Sequence, residues 1–223
     1  MWQDRILFED GEALVIDKPA GLAMHAGPRT RESLEDYLVH LRLGFQRPPQ
    51  PVHRLDRDTS GCLLLARNPG SAKRFQQAFE AGAVEKRYLA IVEGVPDASD
   101  GRIDMALAKI SSKEEGWRMV PDERGKTAAT RWRLVAQRDG RSAIAFEPET
   151  GRTHQVRVHA ASGLGLPIVG DPVYGRRPPR GSGGPMLLHA LALRLERGAK
   201  PPIDARAPLP PSFAYAGFGD AED

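Results

Sequence analysis

The chain has 223 residues, and its 32 Lys and Arg against 29 Asp and Glu give a formal net charge of +3. This mild excess permits a polyanionic partner but does not require one. The single cysteine, Cys62, excludes an internal disulfide and favours a reducing compartment, which we expect to be the cytoplasm. The first ten residues do not have the pattern of a secretory signal, and no apolar run approaches the roughly 20 residues of a membrane-spanning helix.

The N-terminal segment predicts a β-hairpin followed by a helix. The apolar segments 6–8 and 13–16 flank the dipeptide Asp-Gly at 10–11, which is typical of a tight hairpin turn. In "TRESLEDYLVHLRLG", Thr30 is placed to cap a helix and Gly44 to end it. The apolar side chains that share one face of this predicted helix are Leu34, Tyr37, Leu38 and Leu41.

A buried strand and a second helix follow. The apolar run 62–66 is typical of a buried strand. Residues 71–82 have helical spacing, with Ser71 as the expected N-cap and Gly82 as the expected end.

The second half of the chain predicts mainly strands. "RYLAIVEG" and "SAIAFEP" have the composition of strands, "RTHQVRVHAASG" that of a helix, and "MLLHALALRLE" alternates cleanly between apolar and polar positions. This order is not the regular alternation of a doubly wound parallel fold. We therefore expect one α+β domain over residues 1–223, with a mixed, largely antiparallel sheet.

Several residues are candidates for chemistry, each with a plain structural alternative. Asp56 precedes a buried strand and suits a nucleophile or base, although Asp is also a common turn residue. Arg152 and Arg157 surround a predicted helix start, where they suit an anion or are solvated charges. Tyr88 begins an apolar strand, where it packs in the core or stacks on a base. "GKTAAT" and "RRPPRG" are basic segments that suit a phosphate backbone or form solvated loops.

Metal and thiol chemistry find little support. The six histidines and the acidic residues do not show the spacing of a metal-binding motif. Cys62 lies inside the apolar run, which favours a buried structural thiol over a nucleophile.

Taken together and in order, the candidate segments resemble the RluA-type pseudouridine synthases over about residues 5–213. The "HRLDRDTSG" and "GRTHQVRVH" blocks are the most specific. The segments that carry the resemblance are "DKPAGLAMH", "HRLDRDTSGCLLLA", "EKRYLAIVEG", "GKTAAT", "PETGRTHQVRVH", "PIVGDPVYG" and "LLHALAL".

The resemblance implies an isomerase that converts uridine to pseudouridine within RNA and needs no cofactor. It implies a mixed, largely antiparallel sheet with flanking helices and a basic cleft. Asp56 would be the catalytic residue, and Arg54 would help to displace the target nucleotide from its stack. Whether the aspartate attacks the ribose, adds to the base or removes a ribose proton stays open at this point.

The resemblance also implies roles for residues of the later blocks. Arg152 would pair with the catalytic aspartate and keep it ionised. Tyr88 would pack on the displaced uracil and is also placed to take its carbon-5 proton. Val156 would line the base pocket. The residues that we expect to bind RNA are His53, Arg54, Thr59, Val156 and Arg157.

The chain looks like a compact member without an added N-terminal RNA-binding domain, so RNA selection would fall to the catalytic domain. We expect a monomer that acts on ribosomal RNA, on the anticodon stem-loop of transfer RNA, or on both. The alternative is a catalytically idle RNA-binding or ribosome-assembly protein on the same fold. A metal-dependent hydrolase is disfavoured by the poor ligand spacing.

Overall fold

A computed structural model describes residues 2–27, 30–112, 116–176 and 184–221. The chain divides into two compact units. Unit 1 consists of Met1–Lys86 and Ala190–Pro208, and unit 2 of Arg87–His189 and Leu209–Asp223. Apart from Arg176, the basic segment "RRPPRG" lies outside the described residues.

The described residues form twelve strands, three α-helices, two 3₁₀ helices and one π-helical turn. The strands are β1 (Ile6–Glu9), β2 (Ala13–Lys18), β3 (Gln50–Pro51), β4 (Ser60–Ala66), β5 (Glu85–Glu93), β6 (Asp100–Asp104), β7 (Leu107–Ser112), β8 (Gly116–Pro121), β9 (Ala129–Arg138), β10 (Arg141–Pro148), β11 (Leu188–Arg197) and β12 (Lys200–Arg206). The α-helices are α1 (Pro69–Glu80), α2 (Gln155–Val158) and α3 (Pro211–Tyr215). Gln3–Arg5 and Leu34–Leu41 are 3₁₀ helices, and His159–Gly163 is a π-helical turn. No helix in the described part of the chain is long and apolar enough to cross a membrane.

In unit 1, β2 lies between β1 and β4, and β11 pairs with β4 and β12. The predicted hairpin at the N-terminus is confirmed, because β1 and β2 pair antiparallel around residues 10–12. β4 is buried along its whole length, as expected of its apolar run. Gly61 has a φ of +106°, and a Cβ there would overlap the backbone of Ala190, so only glycine fits where β4 begins.

The first predicted helix differs in type and start. Leu34–Leu41 forms a 3₁₀ helix, and Ser33, not Thr30, is its N-cap. Ser33 and Asp36 form a reciprocal capping box, in which the Ser33 amide donates to the Asp36 carboxylate at 2.8 Å. This box satisfies the first orphan donors and fixes the start three residues later than expected.

The second predicted helix, in contrast, begins earlier than expected. α1 starts at Pro69 with Asn68 as N-cap, and the Asn68 Oδ1 accepts the Ser71 amide at 2.9 Å. Proline suits the first helical position because its missing N–H would have no helical partner there. Gly82 follows the end of α1 with a φ of +70°, as the prediction required.

In unit 2, β10 lies between β5 and β9, and β6 pairs with the other side of β9. All these pairs are antiparallel. β7 and β8 form a separate two-stranded hairpin. The helix predicted in "RTHQVRVHAASG" appears as α2 followed by the π-helical turn. An α+β fold with a largely antiparallel sheet is therefore confirmed.

Candidate active site

Asp56 lies in an irregular loop between two buried anchors. Leu55 is buried on one side of it and Thr59 on the other, while Asp56 itself is partly exposed. The Thr59 amide donates to the Asp56 carbonyl at 3.2 Å and closes a turn directly before β4. The carboxylate is thus presented by a segment whose two ends are held in the core of unit 1.

The buried side chain of Lys18 hydrogen-bonds to the backbone of this loop. Its side chain is fully buried, and its Nζ donates to the carbonyls of Pro19, Leu22 and Arg57 at 2.8, 2.9 and 3.1 Å. The Arg57 carbonyl also accepts the Gly21 amide at 2.9 Å. These bonds tie the "DKPAG" segment to the residue that follows Asp56.

Burial lowers the pKa of Lys18 to about 8, although the charges of Asp58, Asp56 and Asp17 act to raise it. At neutral pH the ammonium is therefore still charged. The charges that act most strongly on this ammonium are those of Asp58 and Asp56, so the buried cation is electrostatically coupled to the candidate catalytic carboxylate.

His53, at the start of the same loop, contacts both β4 and α1. Its Nε2 accepts the Leu64 amide of β4 at 2.9 Å, and its ring stacks on Phe79 of α1 at 4.3 Å between centroids. Burial, with a smaller contribution from the charge of Lys86, lowers the pKa of His53 to about 3. A neutral ring with Nε2 as acceptor anchors the loop, and this geometry favours support over the RNA contact that we expected for His53.

The two arginines of the loop point outward. Arg54 and Arg57 are both exposed, and the Arg57 Nε donates to the Gly21 carbonyl at 3.1 Å. Arg57 is therefore part of the framework that Lys18 builds. Arg54 offers an exposed planar cation two residues before Asp56, as its expected role requires.

In unit 2, Arg152 lies on a turn that Gln155 organises. The Gln155 Oε1 accepts the Arg152 amide at 2.9 Å and the Thr150 hydroxyl at 2.7 Å. Its Nε2 donates to the Ala129 carbonyl and the Thr130 hydroxyl, each at 2.9 Å. Gln155 is buried, so a fully bonded amide fixes the backbone from which the exposed Arg152 side chain extends.

A hydrogen bond from Nε positions the Arg152 guanidinium. Its Nε donates to the carbonyl of Thr127 in the "GKTAAT" segment at 2.9 Å. This bond restricts the side chain and directs the two Nη groups, so the guanidinium is positioned before any ligand arrives.

Tyr88 and Val156 meet in one apolar cluster of unit 2. Tyr88 is partly buried, packs against this cluster and lies opposite Phe146 in the β5–β10 pair. Val156 belongs to the same cluster. The structure therefore brings together the aromatic and the aliphatic residue that we expect at a base pocket.

Arg157 does not reach the surface. Its Nε and Nη2 donate to the two carboxylate oxygens of Asp171 at 2.7 and 2.8 Å, and both side chains are almost fully buried. Burial acts to raise the pKa of Asp171, but the hydrogen bonds and charge of Arg157 and the amides of Tyr174 and Val173 lower it overall. This bidentate pair favours a structural role for Arg157 over the RNA contact that we expected.

The candidate residues thus fall into two groups, each within its own unit. His53, Arg54, Asp56 and Thr59 lie in unit 1, and Tyr88, Arg152, Val156 and Arg157 in unit 2. The residues whose support roles the sequence reasoning missed are Lys18, Gln155 and Asp171. Their signal was present, since each lies inside a block that carries the family resemblance and each is a polar residue next to apolar ones.

The chain is similar to known RNA pseudouridine synthases. A family model described as RNA pseudouridylate synthase matches residues 12–162, a segment that contains all the candidate site residues. An uncharacterized RNA pseudouridine synthase of Zymomonas mobilis is 56% identical over 214 residues, which cover 96% of this chain and 97% of that protein. The ribosomal large subunit pseudouridine synthase D of the same bacterium is 39% identical over 178 residues, 77% of this chain and 56% of that protein.

Two solved structures resemble the fold. Human RNA pseudouridylate synthase domain containing 4 superposes with a TM-score of 0.81 at 27% identity, covering 96% of this chain and 92% of that chain. Human RNA pseudouridylate synthase domain containing 1 gives a TM-score of 0.74 at 28% identity, with coverages of 91% and 82%. Each match covers more than nine-tenths of this chain.

Proposed function

The chain belongs to the RNA pseudouridylate synthase family of isomerases, and we propose that it converts a uridine of large-subunit ribosomal RNA to pseudouridine through Asp56. The observation that carries this proposal is the way Asp56 is presented. Its loop is anchored by Lys18 on one side and by the Thr59 turn on the other. A binding surface does not need a carboxylate fixed in this manner, because a carboxylate repels RNA phosphates.

Asp56 supplies the chemistry that the reaction needs. Isomerisation breaks the bond between uracil and carbon 1′ and remakes it through carbon 5, with no net oxidation. A carboxylate serves as nucleophile or base without a metal ion. The buried ammonium of Lys18 places a positive charge under the loop that carries this carboxylate.

Arg54 would open the RNA for this chemistry. The target uridine must leave its stack, which costs a few kcal/mol. An exposed guanidinium two residues from Asp56 is suited to fill the vacated space and to stack on the neighbouring bases.

The unit 2 residues would receive the base. Tyr88 and Val156 offer an aromatic and an aliphatic surface in one cluster, which suits the two faces of a uracil ring. For Arg152 we keep the role that the resemblance implies, a cation for the catalytic carboxylate. Its anchored Nε supports a positioned guanidinium, which is a more effective partner than a mobile one.

The substrate class rests on the relatives. The names of two similar proteins, from Zymomonas mobilis and Borreliella burgdorferi, place their activity on the large ribosomal subunit. We therefore propose large-subunit ribosomal RNA as the substrate and keep the anticodon stem-loop of transfer RNA as the second candidate. A monomeric state and a cytoplasmic location stay predictions.

A tritium-release assay tests the function. The substrate is a transcript of large-subunit ribosomal RNA labelled at carbon 5 of its uridines, and the reaction contains a chelator. We expect release by the wild-type protein and none by Asp56→Asn, which keeps the shape of the side chain but loses its charge. RNA binding and thermal unfolding of the variant should stay close to wild type. Release by Asp56→Asn at a near-normal single-turnover rate would remove the catalytic role, and RNA binding without release by the wild type would favour the idle binding protein.

A further inference from the structure

The hairpin of β7 and β8 carries an exposed tryptophan, Trp117, on the same face as its buried side chains. In the β7–β8 register, Trp117 lies opposite Ser111, and Met119 lies opposite Lys109. Because side chains alternate along a strand, these residues share a face with Leu107. Leu107 and Met119 are buried, whereas Trp117 keeps 45% of its surface exposed. The face is therefore anchored at one end and open at the other.

Trp117 is fixed to the turn that carries Arg152. Its ring packs on that of His154 with centroids 4.9 Å apart and planes tilted by 31°. The His154 Nδ1 lies 2.9 Å from the Tyr174 hydroxyl, which also accepts the Met119 amide at 2.9 Å. His154 has a φ of +54°, so its backbone is held in a conformation that non-glycine residues rarely adopt.

We propose that Trp117 is a base-stacking residue for an unpaired nucleotide of the substrate RNA, and that Lys109 contacts the adjoining phosphate. The Lys109 Nζ lies 5.1 Å from the centroid of the Trp117 ring. A cation–π contact at an exposed site is weaker than the stacking of a base on an aromatic ring. An arriving base therefore displaces the ammonium, which then pairs with phosphate. The inference rests on the proposed function, whose substrate class it narrows to RNA that carries an unpaired nucleotide for Trp117.

The surroundings of the ring favour RNA over other occupants. Among the described residues of this face, the exposed positions besides Trp117 are Lys109, Ser111 and Pro121, which do not form a broad apolar surface for a protein or a membrane. Lys126, which bridges to Leu107, and Arg152 are both exposed. An exposed tryptophan with exposed cations near it is the composition of a site for single-stranded nucleic acid.

The test compares Trp117→Ala and Trp117→Phe with Ile110→Ala. Ile110 is a matched control because it is 41% exposed on the same hairpin, but opposite Arg118 on the other face. Single-turnover tritium release is measured against enzyme concentration on the ribosomal RNA transcript. For Trp117→Ala we expect the half-saturating concentration to rise tenfold or more while the plateau rate changes less than threefold. Trp117→Phe should keep most of the affinity, and Ile110→Ala should match the wild type.

A second measurement separates this inference from the proposed function. A ten-nucleotide single-stranded RNA of adenines is titrated into the wild type and into Trp117→Phe, and tryptophan fluorescence is followed. Stacking predicts quenching in the wild type that is largely lost in Trp117→Phe. Equal quenching in both proteins, or equal half-saturation of Trp117→Ala and Ile110→Ala, would overturn the assignment of Trp117. Absence of tritium release by the wild type would overturn the proposed function instead, and the quenching would still decide the role of Trp117.

Discussion

Lys18→Met is the change whose consequences the structure defines most sharply. Methionine keeps a linear side chain of similar length but removes the ammonium. The carbonyls of Pro19 and Leu22 then lose the donor they have in Lys18, whereas the Arg57 carbonyl keeps the Gly21 amide. A buried acceptor that loses its partner costs about 1–3 kcal/mol, so the two together cost about 2–6 kcal/mol.

Removal of the buried charge offsets part of this loss in stability. Burial lowers the pKa of Lys18 from 10.5 to about 8, so holding the charged form in the fold costs about 3 kcal/mol, which methionine does not incur. At neutral pH the free energy of unfolding should therefore change by an amount between a gain of about 1 kcal/mol and a loss of about 3 kcal/mol. We expect a folded variant whose rate constant for isomerisation is lower by about 10- to 100-fold, because the Asp56 loop loses its anchor.

The pH dependence of stability isolates the buried charge. A lysine with a lowered pKa in the folded state binds fewer protons there than in the unfolded state between pH 8 and 10.5, so stability rises with pH across that window. Between pH 7.5 and 9.5 this contributes about 2 kcal/mol to the wild type and nothing to Lys18→Met. Urea unfolding of both proteins at the two pH values measures the difference. An equal change in both would mean that Lys18 does not carry a buried charge, and a normal isomerisation rate in the variant would refute its positioning role.

Two further predictions concern Arg152 and His53. Arg152→Ala should slow the single-turnover rate at saturating RNA more than Arg152→Lys, because lysine restores the charge without the guanidinium geometry that the Thr127 carbonyl anchors; if both variants lowered RNA affinity alone, Arg152 would be a phosphate contact. His53 is neutral in the fold because burial lowers its pKa to about 3, so stability is lost as pH falls below the unfolded value of about 6.5. With allowance for its partial exposure, urea unfolding at pH 7 and pH 5 should show a loss of about 1–2 kcal/mol that His53→Gln does not show, and an equal loss in both proteins would contradict the assignment.

The strands that the sequence predicted are those with a clean apolar pattern, and those it missed have a mixed one. β11 was predicted from its alternating leucines, and these are buried as expected. β9 was missed because arginines alternate with Trp132 along it, and their exposed face carries ion pairs such as Arg131 with Glu149. β12 contains two prolines, which are tolerated because it pairs with β11 through its other residues.

The orientation of the polar side chains in the candidate site could not be predicted from the sequence. His53 and Arg157 belong to the specific blocks, and their binding to RNA stays a prediction, but the His53 Nε2 and the Arg157 guanidinium have partners within the fold. Local sequence does not show which way a polar side chain points, because a distant partner decides it. For Arg157 this partner is Asp171, fourteen residues away, and for His53 it is an amide of β4.

Such distant partners link the sequence blocks that carry the family resemblance to one another. In "GRTHQVRVH", Arg152 is exposed, whereas every residue from Gln155 to His159 is buried. A buried polar group is costly unless it is paired. Gln155 and His159 both bond to the Thr130 hydroxyl of "GKTAAT", and Arg157 bonds to a carboxylate of "PIVGDPVYG". A change in one block therefore leaves a buried donor or acceptor in another block without a partner, and of the two arginines in "GRTHQVRVH" we propose a role in the chemistry only for the exposed Arg152.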